Sequence, residues 1–134
     1  MSSIDDAAAI ALGLPNVTEG TRYGYRTWFV AGTAFAWDRP FSKADKKRFG
    51  EVTPPDGPIL ALTVEDPGEK EALLLAKGPA FFTIAHFDGF AAVLVQLNAV
   101  GKKALHEALV DAWLVCAPTD VAKAFLARPL RSRS

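Results

Sequence analysis

His86 and Asp88 stand two apart around Phe87, beside the pair Asp88-Gly89 that hairpin turns favour where the chain needs positive φ. In an extended chain both side chains would point the same way, and an imidazole with a carboxylate is the nearest this sequence comes to a general acid-base pair. Turn chemistry offers the plainer reading, in which Asp88 bonds turn amides and His86 packs at a sheet edge. No nucleophile accompanies them. Ser2, Ser3, Ser42, Ser132 and Ser134 lie outside any G-x-S-x-G elbow, and the single cysteine, Cys116, shares a helical face with apolar residues, where a thiol is inert. There is no glycine-rich phosphate loop. His86, His106 and Cys116 are too few and too scattered for a zinc site. The residues therefore lead us to expect neither an enzyme nor a metal or cofactor site.

Cations hold more promise. In GTRYGYRTWF, residues 20–29, Arg22 and Arg26 flank Tyr23 and Tyr25 in front of Trp28, and guanidinium beside phenol can hold an anion or stack on a base. The alternative is a strand entry whose arginines pair with Glu19 or with acids across a sheet. Formal charge sums to zero, 15 basic against 15 acidic residues, so no global field draws the chain to nucleic acid or membrane. The distribution is uneven, however. Residues 21–50 hold seven basic residues against two acids, and residues 51–75 hold six acids against one lysine. Two site readings follow. One is a weak, non-specific DNA interface of Arg22, Arg26, Lys43, Lys46, Lys47 and Arg48, with Arg128, Arg131 and Arg133 as further candidates. The other is a small-ligand or weakly catalytic pocket around Arg22, Tyr23, His86 and Asp88. A protein-interaction domain with neither activity is the third class.

The elements that must position these groups can be read from periodicity and punctuation. At 134 residues, half of them hydrophobic, the chain suits one domain over 1–134. Ser3 with Asp6 resembles a capping box, and Ile4, Ala7, Ala8, Ala11 and Leu12 recur at helical spacing before Gly13 and Pro15. Residues 16–23 read as a polar loop, and residues 25–29 and 35–37 as strands joined around Ala31-Gly32. Ser42 and Asp45 start a short basic helical turn, KADKKRF, stopped by Gly50, and the three prolines of 51–58 make a loop. Residues 59–64 form a strand apolar on both faces. Asp66, Pro67 and Glu69 begin a helix that Gly78-Pro79 ends. Residues 81–97 predict a hairpin in the sheet centre, with Val93, Val95 and Leu97 inward, and Leu94, which breaks clean alternation, points to partial cover on the second face. Residues 102–116 form a helix with Leu105, Leu109, Ala112, Trp113 and Cys116 on one face. A last helix runs from about 118 to 128 with Val121, Ala124 and Phe125 inward. Trp37 and Trp113 fall at positions suited to packing. The pattern is α+β, an antiparallel sheet of about five strands with helices packed on one face. No stretch has the length of a signal peptide's apolar run or of a membrane span, so a cytoplasmic monomer is expected.

In combination, the N-terminal helix ending in GLP, TEGTRYGYRTWFV, AFAW at 34–37, PILAL at 58–62, HFDGFAAVLVQL at 86–97 and DAWLVCAP at 111–118 resemble the MmcQ/YjbR family of small bacterial proteins. The resemblance runs from about Ala7 to Leu126, and none of its motifs is a chemical signature. It implies a single α+β domain of the shape called a double wing. That shape is likened to the DNA-binding domain of a phage transcription factor, and family members are labelled DNA-binding on that ground. It implies no catalytic residue and no cofactor.

Overall fold

The computed structural model describes residues 2–55, 57–84, 87 and 90–127. In chain order these form α1 (Ile4–Leu12), β1 (Val17–Arg22), β2 (Tyr25–Val30), β3 (Thr33–Asp38), α2 (Lys43–Phe49), β4 (Ile59–Thr63), α3 (Pro67–Lys77), β5 (Phe81–Phe82), β6 (Ala92–Gln96), α4 (Lys102–Cys116) and α5 (Thr119–Ala127). The protein is α+β. Among the described residues six strands make one antiparallel sheet in the order β1-β2-β3-β4-β6-β5.

The first three strands are a meander made by two tight turns. Tyr23-Gly24 and Ala31-Gly32 put both central residues at positive φ, 54° and 81° in the first turn and 50° and 83° in the second. This is the backbone of a two-residue hairpin turn whose twist matches that of the strands. The turn at Ala31-Gly32 was expected, but the one at Tyr23-Gly24 was not, and residues 17–22 are a strand rather than a polar loop. Their polarity reflects position. β1 is an edge strand, paired from Val17↔Val30 to Arg22↔Tyr25, and an edge strand can keep polar side chains in water on both faces.

The pair β5 and β6 exists in the expected antiparallel sense, with Phe81 opposite Val95 and Phe82 opposite Leu94. It lies at the other edge of the sheet instead of its centre, because β6 pairs on its second side with β4. Asp88-Gly89, the expected turn, is outside the described residues. Leu97 has left the strand for a short 3-10 turn (Leu97–Ala99) yet stays fully buried.

β4 and β6 read ILALT and AVLVQ, nearly all buried, so the sheet must be covered twice. On the first face Trp28, Val30, Leu60, Leu62, Val93 and Val95 pack under α1 and α4, whose inward residues are Ala7, Ala8 and Ala11, and Leu105, Leu109 and Trp113. Leu73 and Leu74 of α3 and Val121 and Phe125 of α5 border the same cluster, while Ala124 stays exposed. Trp28 donates its indole N–H to Glu19 Oε1 at 3.0 Å and Trp113 donates to the Pro15 carbonyl at 3.0 Å, so neither buried indole lacks an acceptor. The second face buries Ile59, Ala61, Phe87, Ala92 and Leu94, bordered by Trp37, Phe41, Phe82 and Ile84. The short α2 belongs to this side, held by the inclined ring contacts Phe49–Phe41 and Phe41–Phe82, with centroids 5.3 and 6.0 Å apart. Cys116, at the last turn of α4, is half-buried rather than deep in the core.

Candidate nucleic-acid interface

α2 presents the densest group of cations, and its local chemistry begins with a reciprocal cap. Ser42 Oγ accepts from the Asp45 amide at 3.1 Å and Asp45 Oδ2 accepts from the Ser42 amide at 2.9 Å. The Asp45 side chain is only 1% exposed, and it also accepts from Arg39 Nη1 at 2.8 Å and from Arg48 Nη1 at 3.4 Å. Burial, the largest single influence, pushes this carboxyl's pKa up. The hydrogen bonds from Arg39 and Ser42, together with the charge of Arg39, outweigh it and hold the pKa below the ordinary carboxylate value. One carboxylate thus serves two guanidinium groups, and Arg48 is partly compensated. Lys43, Lys46 and Lys47, spaced i, i+3 and i+4, lie on the outward side of the helix, all exposed. Among the described residues no ion pair joins these three to an acid.

The two arginines of the β1–β2 hairpin part company. Arg26 turns to the helical face, where Nε donates to Glu19 Oε2 at 2.8 Å, Nη2 to Glu19 Oε1 at 3.1 Å and Nη1 to Asp5 Oδ1 at 3.2 Å, with the guanidinium 5.4 Å from the Trp28 ring centre. The hydrogen bond from Arg26 is the chief cause that lowers the Glu19 pKa. Arg26 is therefore neutralised and faces away from α2. Arg22 lies on the second face, its guanidinium 5.5 Å from the Trp37 ring centre, and no carboxylate among the described residues pairs with it. By strand alternation Tyr25 shares that face, since Arg22 is opposite Tyr25 and Thr27 is opposite Trp37. Trp37 is half-buried, with Arg22 over its ring and Phe90 beside it, and Trp113 is fully buried packing.

Of the pocket reading, Arg22 and Tyr23 can be placed, whereas His86 and Asp88 lie outside the described residues, as do Arg128, Arg131 and Arg133. Arg22 and Tyr23 line none of four cavities, of about 100 to 410 Å³, that indent the described surface. One of these, about 350 Å³, lies between β4, α3 and α4 and carries Glu65, Glu69 and Asp111 over Leu62, Leu73 and Ala112. Of the acids of residues 51–75, Glu65 and Glu69 therefore lie on the helical side. Among the described residues no acid of 51–75 pairs with a cation of residues 21–50, and the uneven charge of the sequence survives folding.

Two features escaped the sequence reading. Lys70 is buried, its Nζ donating to the carbonyls of Phe87 at 2.6 Å and Phe90 at 3.0 Å, so α3 holds the segment before β6 in place. The available signal was its spacing of three and four residues from Leu73 and Leu74 on the inward side of α3. The other is the contact of Arg22 with Trp37, for which the two residues' separation in sequence offers no sign. Among the described residues no group of His, Cys, Asp and Glu is arranged to hold a metal ion, and no helix is long and apolar enough to cross a membrane.

No family model matches the chain. It is similar to uncharacterised protein Rv2570 of Mycobacterium tuberculosis and to uncharacterised protein Mb2600 of Mycobacterium bovis. Each is 38% identical over 129 residues, covering 95% of this chain and 98% of the relative. Among solved structures it resembles Deinococcus radiodurans protein DR2400, which carries the domain DUF419, with a TM-score of 0.66, 21% identity and coverage of 100% of this chain and 96% of that one. A Pseudomonas syringae protein gives a TM-score of 0.64 at 15% identity, covering 87% of this chain and 99% of that one. These two likenesses establish the fold and no activity.

Proposed function

We propose that this chain, which belongs to the same family as the mycobacterial proteins Rv2570 and Mb2600, is a non-catalytic binding domain of MmcQ/YjbR double-wing type that holds DNA phosphates weakly and without sequence preference. The observation that carries the reading is the set of uncompensated cations on the second side of the sheet. Lys43, Lys46 and Lys47 share one exposed side of α2, and Arg22 is held over Trp37 with no carboxylate partner among the described residues. The interface is smaller than composition suggested, because Arg26 is neutralised by Glu19 and Asp5, and Arg48 shares Asp45 with Arg39. Lysines contact phosphate as point charges and read no base, and α2, with seven residues, is too short to lay a reading face along a groove. The protein acts as a cytoplasmic monomer in this reading.

With about four phosphate contacts, affinity at physiological salt is that of non-specific binding, about 10⁻⁴ to 10⁻⁶ M. A fluorescence anisotropy titration of a labelled short duplex at about 20 mM salt tests this, with saturation expected below about 100 µM protein. A flat titration under those conditions refutes it.

A further inference from the structure

We infer that the occupant of the second face is single-stranded nucleic acid, its bases stacked on the β1–β2 hairpin and its phosphates led toward α2. The inference rests on the phosphate-binding reading above and specifies the strand form. Its starting point is the hairpin tip. Tyr23 is 93% exposed and sits at φ 54°, in the left-handed region where a two-residue turn ordinarily takes Asn, Asp or Gly. A bulky aromatic is disfavoured there, and at this exposure its ring gains little from packing against the described residues. Tyr25, the next residue but one, is 42% exposed on the second face beside Arg22 and Trp37, and Phe90, whose ring is 6.4 Å from that of Trp37, is 50% exposed.

These exposed rings lie beside Arg22, at one end of a path whose other end is α2. Thr27, Trp37, Ala61, Leu94 and Phe82 form one cross-strand row over the second face, and Phe82 is the ring on which Phe41, and through it α2, is seated. From Trp37 to Phe82 is three interstrand steps, about 14 Å. A flexible strand can cover that span with a few nucleotides, stacking bases on Tyr23, Tyr25 and Phe90 at one end and meeting Lys43, Lys46 and Lys47 at the other. Stacking platforms interleaved with a basic track are how single strands are held without sequence reading. In a duplex the bases are already stacked on one another and offer no faces to these rings.

The test uses the whole chain with two labelled probes at low salt, an oligothymidylate of about twelve nucleotides and a duplex of the same length. The single strand is expected to bind on the order of tenfold more tightly than the duplex. Tyr23→Ala and Tyr25→Ala should each lose about tenfold for the single strand and little for the duplex, and Tyr23→Phe should keep the parent affinity. Both tyrosines are exposed, so an unchanged unfolding midpoint in the alanine variants separates lost stacking from lost fold. Equal binding of the two probes, with tyrosine variants behaving as the parent, overturns the inference and leaves phosphate binding standing. Absence of binding to either probe overturns both. Sedimentation of the protein alone supplies the remaining outcome: a dimer that Tyr23→Ala dissolves would make a second copy the occupant and the inference wrong.

Discussion

Replacing Asp45 by alanine strikes the node on which α2 depends, and its cost can be built up from the contacts. The substitution removes the carboxylate half of the reciprocal cap at Ser42, worth about 1 kcal/mol. It also takes the counter-charge from Arg39, whose side chain is 18% exposed, and from Arg48, which is 51% exposed. Breaking a fully buried pair costs about 3–5 kcal/mol. Arg39 keeps its 2.7 Å hydrogen bond to the Pro40 carbonyl and some access to water, and Arg48 is largely solvated, so about 1–2 kcal/mol is the fitting share. The total is about 2–3 kcal/mol, which lowers the urea midpoint by about 1–2 M for a domain of this size. The dependence on pH carries a definite sign. Because the folded-state pKa of Asp45 is lowered, its contribution is fully present above the unfolded carboxylate value of about 3.9 and is lost as pH falls through the folded value. Parent and Asp45→Asn should therefore differ most near neutrality and converge in acid. Asp38, whose pKa burial raises, runs the other way, gaining stability as pH falls, but it is common to both proteins and cancels in the comparison. Urea denaturation of the three proteins at several pH values is the assay. A midpoint for Asp45→Ala within about 0.3 M of the parent at neutral pH, or a gap to Asp45→Asn that does not narrow in acid, refutes the reasoning.

The remaining predictions concern the core. Val95→Ala removes two methyl groups from a fully buried position of β6 and should cost about 1–3 kcal/mol, whereas Lys102→Ala, exposed with its amine 3.9 Å from Asp6, should cost almost nothing; equal urea midpoints would mean that the inward side of β6 is wrongly assigned. Cys116 is half-buried and burial pushes its thiol pKa up, so a thiol reagent should label the native protein far more slowly than the unfolded chain, and equal rates would contradict the packing of the last turn of α4.

What could be read from the chain beforehand was mostly what depends on near neighbours. Ser3 with Asp6 and Ser42 with Asp45 announced two helix starts, and Asp66 before Pro67 and Glu69 announced a third, whose Glu69 amide donates to Asp66 Oδ1 at 2.8 Å. The alternating faces of β4 and β6 also declared themselves, since a strand apolar at every position must be covered twice. Long-range placement was not legible. β1 looked like a loop because an edge strand carries no apolar alternation, and the pair β5–β6 looked central because its apolar content says nothing of its neighbours. Arg22 and Arg26, alike in sequence, separate because residues four apart on either side of a two-residue turn fall on opposite faces once the register Arg22↔Tyr25 is set. Only the fold reveals that one of these arginines is neutralised while the other lies open over Trp37.

The central claim is that a few cations on the second side of the sheet, unpaired among the described residues, hold phosphates, and the salt dependence of DNA binding tests it most directly. If Arg22, Lys43, Lys46 and Lys47 each meet one phosphate, the slope of log affinity against log salt is about −3.6, so a threefold rise in salt weakens binding about fiftyfold. Changing Lys43, Lys46 and Lys47 together to alanine should flatten that slope by about 2.7 while leaving the unfolding midpoint nearly unchanged, and Arg48→Ala, partly compensated by Asp45, should flatten it less than any one of the three lysines. A triple variant that binds with the slope of the parent would contradict the claim.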